Sequence, residues 1–453
     1  MNPVTLNRNR ARRWTTAFAA CIFIVSTAMA FPASAAPNWI TSWAASPQGP
    51  YPSGAAVAQP DLSFAFPDNA ANDQTFRLIV RPGIWLSRFI RIHFTNLFGN
   101  QPITLDGAFV GIQKTGAEIV ATTNQPVTFN GGSTRLTLQP GESVWSDSVK
   151  LRYVNGEGQS AALDKTAMTG RKLAISFHTV GSTGRMTWHA KAMTTSYVTD
   201  RGAGSVGATE GDVFPTSTTS WYFMDKIDMD APQGTQLVVA LGDSITDGTS
   251  STINGDDRWP DVVARRLQAT YGDNVVLVNE GIGGNQIVGP AHYDPANPAS
   301  GGPSALERLD RDVIGLSGVT AVIWHEGTND VSAGTSAAAI EAGIVTVVQR
   351  LRAAIPGVRI VGTTITSEVG AAGNGGTPAA AAERVELNQY IKSSGLFDDV
   401  ADFYAVTTDP ATGAMKAQFI PNTSIGGAGD HVHPNRAGYL TMGNAVNIGV
   451  LVH

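Results

Sequence analysis

Leu241-Gly242-Asp243-Ser244-Ile245-Thr246-Asp247-Gly248 sets a serine just past an apolar run, behind a glycine that permits a sharp turn. A serine so placed can serve as a nucleophile, but its hydroxyl is weak until a base takes the proton and an acid orients that base. Asp430-His431-Val432-His433-Pro434 offers both: an aspartate three residues before a histidine can fold back onto Nδ1–H and leave Nε2 free as the base. Pro434 suits the first position of a following helix. Acyl transfer also needs donors aimed at the developing oxyanion, each worth roughly 3–4 kcal/mol. Asn279-Glu280-Gly281-Ile282-Gly283-Gly284-Asn285 offers backbone N–H groups, and His325-Glu326-Gly327-Thr328-Asn329-Asp330 offers a side-chain amide. Acyl transfer through a serine ester is the chemistry these residues share.

Other readings exist for each. Gly-Asp-Ser is a common turn tripeptide, Asn329 suits a helix or turn cap, and Gly281–Gly284 suits a tight βα turn. Asp430, His431 and His433 have the spacing of metal ligands. Glu326 with Asp330, or Asp243 with Asp247, would make a glycosidase only with the pair about 5–10 Å apart. No G-x-S-x-G elbow occurs, which argues against the usual α/β-hydrolase arrangement. Asp243 and Asp330 read as struts for their loops, His325 as a pocket-lining residue, and Trp259 and Trp324 as core.

The elements that must position these residues change character near Pro232. Beyond it, the apolar runs Leu237–Leu241, Val275–Val278, Val319–Trp324, Arg359–Thr363 and Val400–Phe403 alternate with helix-like stretches. Those stretches are Trp259–Tyr271, Ser304–Leu316, Ala337–Ala354, Pro378–Ser393 and Asn435–Ala445. The pattern predicts βα units, a parallel sheet covered on both faces, and a site at the carboxyl ends of its strands. The loops Gln286–Pro303 and Ser367–Thr377 then become cleft-forming surfaces. From Asn38 to Met229 the period is two: Ile90, Ile92 and Phe94 against Arg91, His93 and Thr95, and Leu173, Ile175 and Phe177 against Ala174, Ser176 and His178. Arg135–Leu138 and Thr187–Lys191 are shorter cases. This half predicts an all-β sandwich or jelly-roll-like domain. Gly202–Gly207 matches G-x-G-x-x-G but lacks a following helix, so it reads as a loop.

The composition is globular, with 42 % apolar and 15 % charged residues. A net charge of −6 and the lack of a long basic run exclude nucleic acid as a main partner. Arg8, Arg10, Arg12 and Arg13, the apolar stretch Trp14–Phe31, and Ala33-Ser34-Ala35 before Ala36 compose an export leader cleaved near Ala35-Ala36. The alternative is an uncleaved anchor. Cleavage would remove four arginines and the single cysteine, Cys21, leaving no thiol for disulfides, nucleophiles or zinc. The expected organisation is a signal peptide over 1–35, a β-sandwich-like domain over 36–230 and a catalytic domain over 231–453. The product would be secreted or periplasmic, with no membrane span after cleavage.

The four blocks around Ser244, Gly281–Asn285, Gly327–Asp330 and Asp430–Pro434 resemble, in order and spacing, the signature blocks of the SGNH hydrolases (GDSL esterases and lipases), over roughly Gln236 to Gly449. The resemblance implies a flavodoxin-like three-layer α/β sheet and a Ser-His-Asp triad of Ser244, His433 and Asp430. It also implies an oxyanion hole of Ser244 N–H, Gly284 N–H and the Asn329 amide. Gly284 is preferred over Gly283 because it precedes Asn285, as in the family pattern. Some members carry an added N-terminal β module, with which 36–230 is compatible. The implied activity is hydrolysis of carboxylic esters, of acyl or acetyl groups on a small molecule, lipid or polysaccharide, with no cofactor and no metal. On this reading, residues 231–453 hold every group that does chemistry, and the β module acts on access, positioning or stability. The rival readings are a non-catalytic carbohydrate- or surface-binding protein and a glycosidase.

Overall fold

Alternating apolar residues build two large antiparallel sheets in the N-terminal half, beside a three-stranded and a two-stranded one. The structure, a computed structural model, describes residues 36–54, 60–83, 85, 89–154, 159–162, 168–421 and 429–453. The expected leader lies outside the described residues. Strands Trp39–Ala44, Met224–Asp230, Phe89–Thr95 and Val149–Lys150 form one sheet in that order, with Ser143–Trp145 also on Phe89–Thr95. The larger sheet centres on Asn72–Val80, Leu173–Ser182 and Ile103–Thr115. Both sheets point apolar side chains into one cluster, where Phe177 stacks on Phe76 and meets Phe94 edge-on at 5.4 Å.

Ile90, Ile92 and Phe94 are buried as their alternation requires, with Phe89, Arg91 and His93 half-buried on the other face. Leu173–Thr179 departs from alternation, because both of its faces are buried. The neighbouring strand explains this. Arg77 donates to Ser176 Oγ (2.8 Å), Ala117 O and Thr209 O (2.6 Å each) and lies over the Phe214 ring, so loop backbone covers the polar face.

In the C-terminal half, five parallel strands, Gln236–Gly242, Val275–Gly281, Val319–His325, Arg359–Thr363 and Asp399–Ala401, lie in the spatial order two, one, three, four, five. Val239 and Leu241 face one apolar cluster and Val238 and Ala240 another, so the sheet is buried on both faces. Helices Trp259–Tyr271, Ala337–Ala354 and Pro378–Ser393 keep the bounds read from the sequence. The last has the Thr377 hydroxyl as its cap and Pro378 in its first turn. Two elements differ. Asp402 accepts from Ala405 N (3.0 Å) and starts a helix over Phe403–Thr407, so the fifth strand stops at Ala401 instead of reaching Phe403. The stretch after Ser304 is helical over Ala305–Leu309 and then widens into a π turn over Asp310–Ile314.

Residues 37–453 make one compact unit. Strand Trp39–Ala44 is shared, with Trp43 in the apolar cluster of the N-terminal sheets and Ile40 and Ala44 in that of the parallel sheet. Arg308 completes the join. Its Nε donates to Asn285 Oδ1 (2.8 Å), its Nη1 to Ser46 Oγ (3.0 Å), Glu280 O (2.8 Å) and Asp312 Oδ2 (3.0 Å), and its Nη2 to Gly242 O (2.9 Å) and Glu326 Oε1 (3.1 Å). Arg308→Met should cost on the order of 3–5 kcal/mol by orphaning these acceptors, a drop in Tm of about 4–6 °C by thermal unfolding. An unchanged Tm would mean that solvent or rearrangement satisfies those groups.

Candidate active site

The first strand ends at Gly242 because the next turn leaves no room for a side chain. A Cβ there would stand 2.1 Å from Thr246 Oγ1 and 2.6 Å from His325 O. Asp243 then caps a one-turn helix, Ser244–Asp247, by accepting from Ile245 N at 2.9 Å. Ser244 therefore leads that helix at the carboxyl edge of the sheet, where its own N–H has no acceptor among the described residues.

His433 Nε2 lies 2.7 Å from Ser244 Oγ, and His433 Nδ1 lies 2.5 Å from Asp430 Oδ2. Asp430 Oδ1 accepts from Val432 N and His433 N at 2.9 Å each, so the fold-back of three residues is locked by backbone as well as by side chain. Burial works against the Asp430 charge, but the His433 side-chain hydrogen bond and its charge partner outweigh it and hold this carboxyl well below the usual range. The helix that follows starts at Arg436 rather than at Pro434. The Asn435 carboxamide accepts from Ala437 N (2.9 Å) and takes the cap, leaving Pro434 just outside. His431 adopts a left-handed φ of 60° and turns its ring toward Gly370, away from a common centre with Asp430 and His433. Among the described residues, no three His, Cys, Asp or Glu side chains group as a metal site.

The second strand delivers the glycine pair. Gly283 N–H donates to Asp247 Oδ2 (3.1 Å), whereas Gly284, at φ +83°, has no acceptor for its N–H among the described residues. Asn285 anchors the turn by donating to Gly301 O and Pro303 O (2.7 Å each) and accepting from Arg308. Asn329, just inside helix Thr328–Ser332, gives one amide hydrogen to Asn285 O (2.8 Å) and keeps the second. Asp330 accepts from Ile287 N and Val288 N, bracing the segment beyond Asn285.

The four carboxylates that a glycosidase would draw on are all engaged in holding loops: Asp243 on Ile245 N, Asp247 on Gly283 N, Glu326 on Arg308, and Asp330 on the 287–288 backbone. Burial pushes Glu326 well above the carboxylate range, and burial pushes Asp243 up to about 7. His325 is buried beside Trp259 and Phe403 and paired with Thr363 Oγ1 (2.6 Å), and burial lowers it to about 3, so it stays neutral.

Two side chains from the β half reach this site, and reading the chain as separate halves missed both. His189 ends strand Thr187–His189 and Lys191 lies two residues beyond it. His189 Nδ1 donates to Ser46 O (2.8 Å) and its Nε2 stands 3.4 Å from Asp247 Oδ1, while Lys191 Nζ donates to Thr249 Oγ1 (3.0 Å). The signal was the alternation Thr187–Lys191, which places two polar residues on one face. Nothing local indicates that this face meets helix Ser244–Asp247.

Residues 240–440 match the GDSL-like Lipase/Acylhydrolase family, so this region is a domain of that family and the chain is a carboxylic ester hydrolase. Solved structures similar to it include the aryl esterase of M. smegmatis, 18 % identical, with 48 % of this chain and 100 % of that one covered and a TM-score of 0.37. A carbohydrate acetylesterase family member from Sinorhizobium meliloti is 17 % identical, with coverages of 48 % and 97 % and a TM-score of 0.36. A GDSL-like lipase from Bacteroides thetaiotaomicron is 18 % identical, with coverages of 49 % and 91 % and a TM-score of 0.35. Among curated proteins none matches the chain.

The raised Asp243 carboxyl has a consequence for stability. Unfolded, it titrates near its ordinary value of 3.8, and folded near 7. Between these values the native state holds the extra proton, so stability falls as pH rises through that window. The lowered Asp430 acts on the other side, its contribution being lost only as pH drops below 3.8. Asp243→Asn keeps an oxygen for Ile245 N and does not titrate. It should flatten the decline of Tm between about pH 4 and 7, measured by thermal unfolding in matched buffers. An equal decline in both proteins would assign the effect to another group.

Proposed function

We propose that the chain is a secreted serine esterase working through an acyl-enzyme, with Ser244 as nucleophile, His433 as base and Asp430 as its orienting acid. The observation that carries this reading is the unbroken relay from Asp430 Oδ2 through both nitrogens of His433 to Ser244 Oγ. His433 Nε2 takes the Ser244 proton as Oγ attacks the ester carbonyl, and Asp430 stabilises the imidazolium so formed. The oxyanion is held by Ser244 N–H, Gly284 N–H and the second Asn329 amide hydrogen, three donors without other acceptors among the described residues. His433 then hands its proton to the leaving alcohol, and the same groups activate water to release the acid. No cofactor enters any step.

In this reading 36–230 is a β-sandwich or jelly-roll-like domain and 231–453 a flavodoxin-like catalytic domain. The strand order two-one-three-four-five supports the second assignment. Export rests on the basic start, apolar stretch and small-residue cleavage site of the first 36 residues. Substrates are carboxylic esters of acyl or acetyl groups, on a small molecule, lipid or polysaccharide.

Ser244→Ala should lower kcat for 4-nitrophenyl acetate by a factor on the order of 10³ or more, with the fold intact by circular dichroism. A fluorophosphonate probe should label the wild type and spare the variant. Labelling that survives the substitution would move the nucleophile elsewhere. Activity should also withstand EDTA, and loss on chelation restored by added metal would favour the Asp430, His431 and His433 metal reading.

A further inference from the structure

Lys191 belongs to the β half by sequence and to the other half by position. The residue is buried, with 6 % of its surface exposed. Its Nζ donates to Thr249 Oγ1 and stands 2.9 Å from the point where a Cβ on Gly283 would sit. Among the described residues no carboxylate oxygen lies within 4 Å of it, so the ammonium is not part of an ion pair. Its nearest charges, Asp247, Asp430 and Asp243, surround Ser244; burial pulls the ammonium below its usual range, and these three carboxylates only partly oppose that.

An ammonium carries three donors, and Thr249 takes one. A buried cation left with free donors is costly to keep. It becomes favourable when negative charge arrives beside it, and ester attack creates such a charge next to the Gly283–Gly284 turn. Thr249 also belongs to the nucleophile's own turn. Thr249 N and Gly248 N both donate to Ser244 O at 2.9 Å, and the Tyr439 hydroxyl donates to Thr249 O at 2.6 Å. The ammonium is thus tied to the backbone that carries Ser244 on one side and abuts the glycine turn on the other.

We propose that Lys191, contributed by the β half, stabilises the tetrahedral intermediate: its ammonium, braced on Thr249 beside Gly283, supplies positive charge next to the oxyanion held by Gly284. No bond forms or breaks at Lys191, and it moves no proton. The inference rests on the serine esterase reading and adds a charge that the relay and the three N–H donors do not provide. It also gives the β half a part in the reaction, where the sequence suggested access, positioning or stability alone.

The test uses the full chain and three variants. Lys191→Met keeps the apolar stem and removes the charge, Lys191→Gln keeps a donor for Thr249 without charge, and Lys191→Arg keeps the charge. The readouts are kcat and KM for 4-nitrophenyl acetate, Ki for phenylboronic acid (which forms an anionic tetrahedral adduct on a reactive serine), and Tm. K191M and K191Q should each lose about tenfold or more in kcat with KM within about twofold, and should weaken phenylboronic acid by a similar factor. Tm should not fall in K191M, because a desolvated charge has been removed. K191R should recover part of both losses. Wild-type kcat in K191M or K191Q would overturn the inference, as would a kcat loss with unchanged boronate affinity. A purely structural role predicts instead that Tm and activity fall together in all three variants; if K191M does not fold, K191Q against K191R decides. A wild type that neither hydrolyses the ester nor binds the boronate would sink the esterase reading itself, whereas an active wild type with an equally active K191M sinks only the role of Lys191.

Discussion

The buried guanidinium of Arg308 is the constraint on which the carboxyl edge of the parallel sheet depends. Where parallel strands end, their last carbonyls have no ladder partner, and burying them bare is costly. Gly242 O, which takes one bond from Ile282 N at 2.9 Å, and Glu280 O lie at that edge, and Arg308 donates to both. The same fork takes the Asn285 side chain, which shapes the glycine turn, and Glu326, which follows the third strand. A planar donor with five N–H groups can bind strand ends, loop and carboxylate at once, which a lysine could not do. The first three strands and the glycine turn are thereby held in mutual register just where Ser244, Gly284 and Asn329 emerge.

Arg308 also explains why the two halves are not independent bodies. Ser46, from the N-terminal half, accepts from Arg308 and donates to Glu280, and Arg311 donates to Pro47 O. Burial and the neighbouring Asp312 push Glu280 well above the carboxylate range, while Arg311 and Arg308 overcome burial to keep Asp312 below it. The two acids of this buried group are thus pushed in opposite directions, Glu280 toward its protonated form and Asp312 toward its ionised one. Farther out, Gln48 donates to Ser300 O (2.6 Å) and Phe98 meets Tyr293 edge-on. The loop Gln286–Pro303 is therefore clamped between the halves, and the glycine turn it follows inherits that rigidity.

The acids around Ser244 divide by solvent access. Asp430 remains about half exposed and collects hydrogen bonds from one histidine and two backbone N–H groups, so its charge persists. Asp243 is one residue from Ser244 yet fully buried, so its carboxyl tends to the neutral form. The persistent charge thus stands behind His433, while burial shifts the acid beside Ser244 toward its neutral form.

Much of this was legible in the residues alone. Three helices kept their bounds because Thr377, Pro378 and the spacing of apolar positions are local signals, read within one turn. The Asp430–His433 fold-back was legible too, since a three-residue offset closes through nearby backbone N–H groups. The double burial of Leu173–Thr179 was not, because its cover is the backbone at Ala117 and Thr209 bonded through Arg77 of another strand. Nor was the reach of His189 and Lys191 to Asp247 and Thr249, which are 58 residues apart along the chain for His189 as for Lys191. The sequence by itself determined which residue types could do chemistry and the local turns that present them. The tertiary structure alone decided which distant charges share their low-dielectric surroundings, because burial and proximity across the chain set those energies and neither is encoded within a single turn.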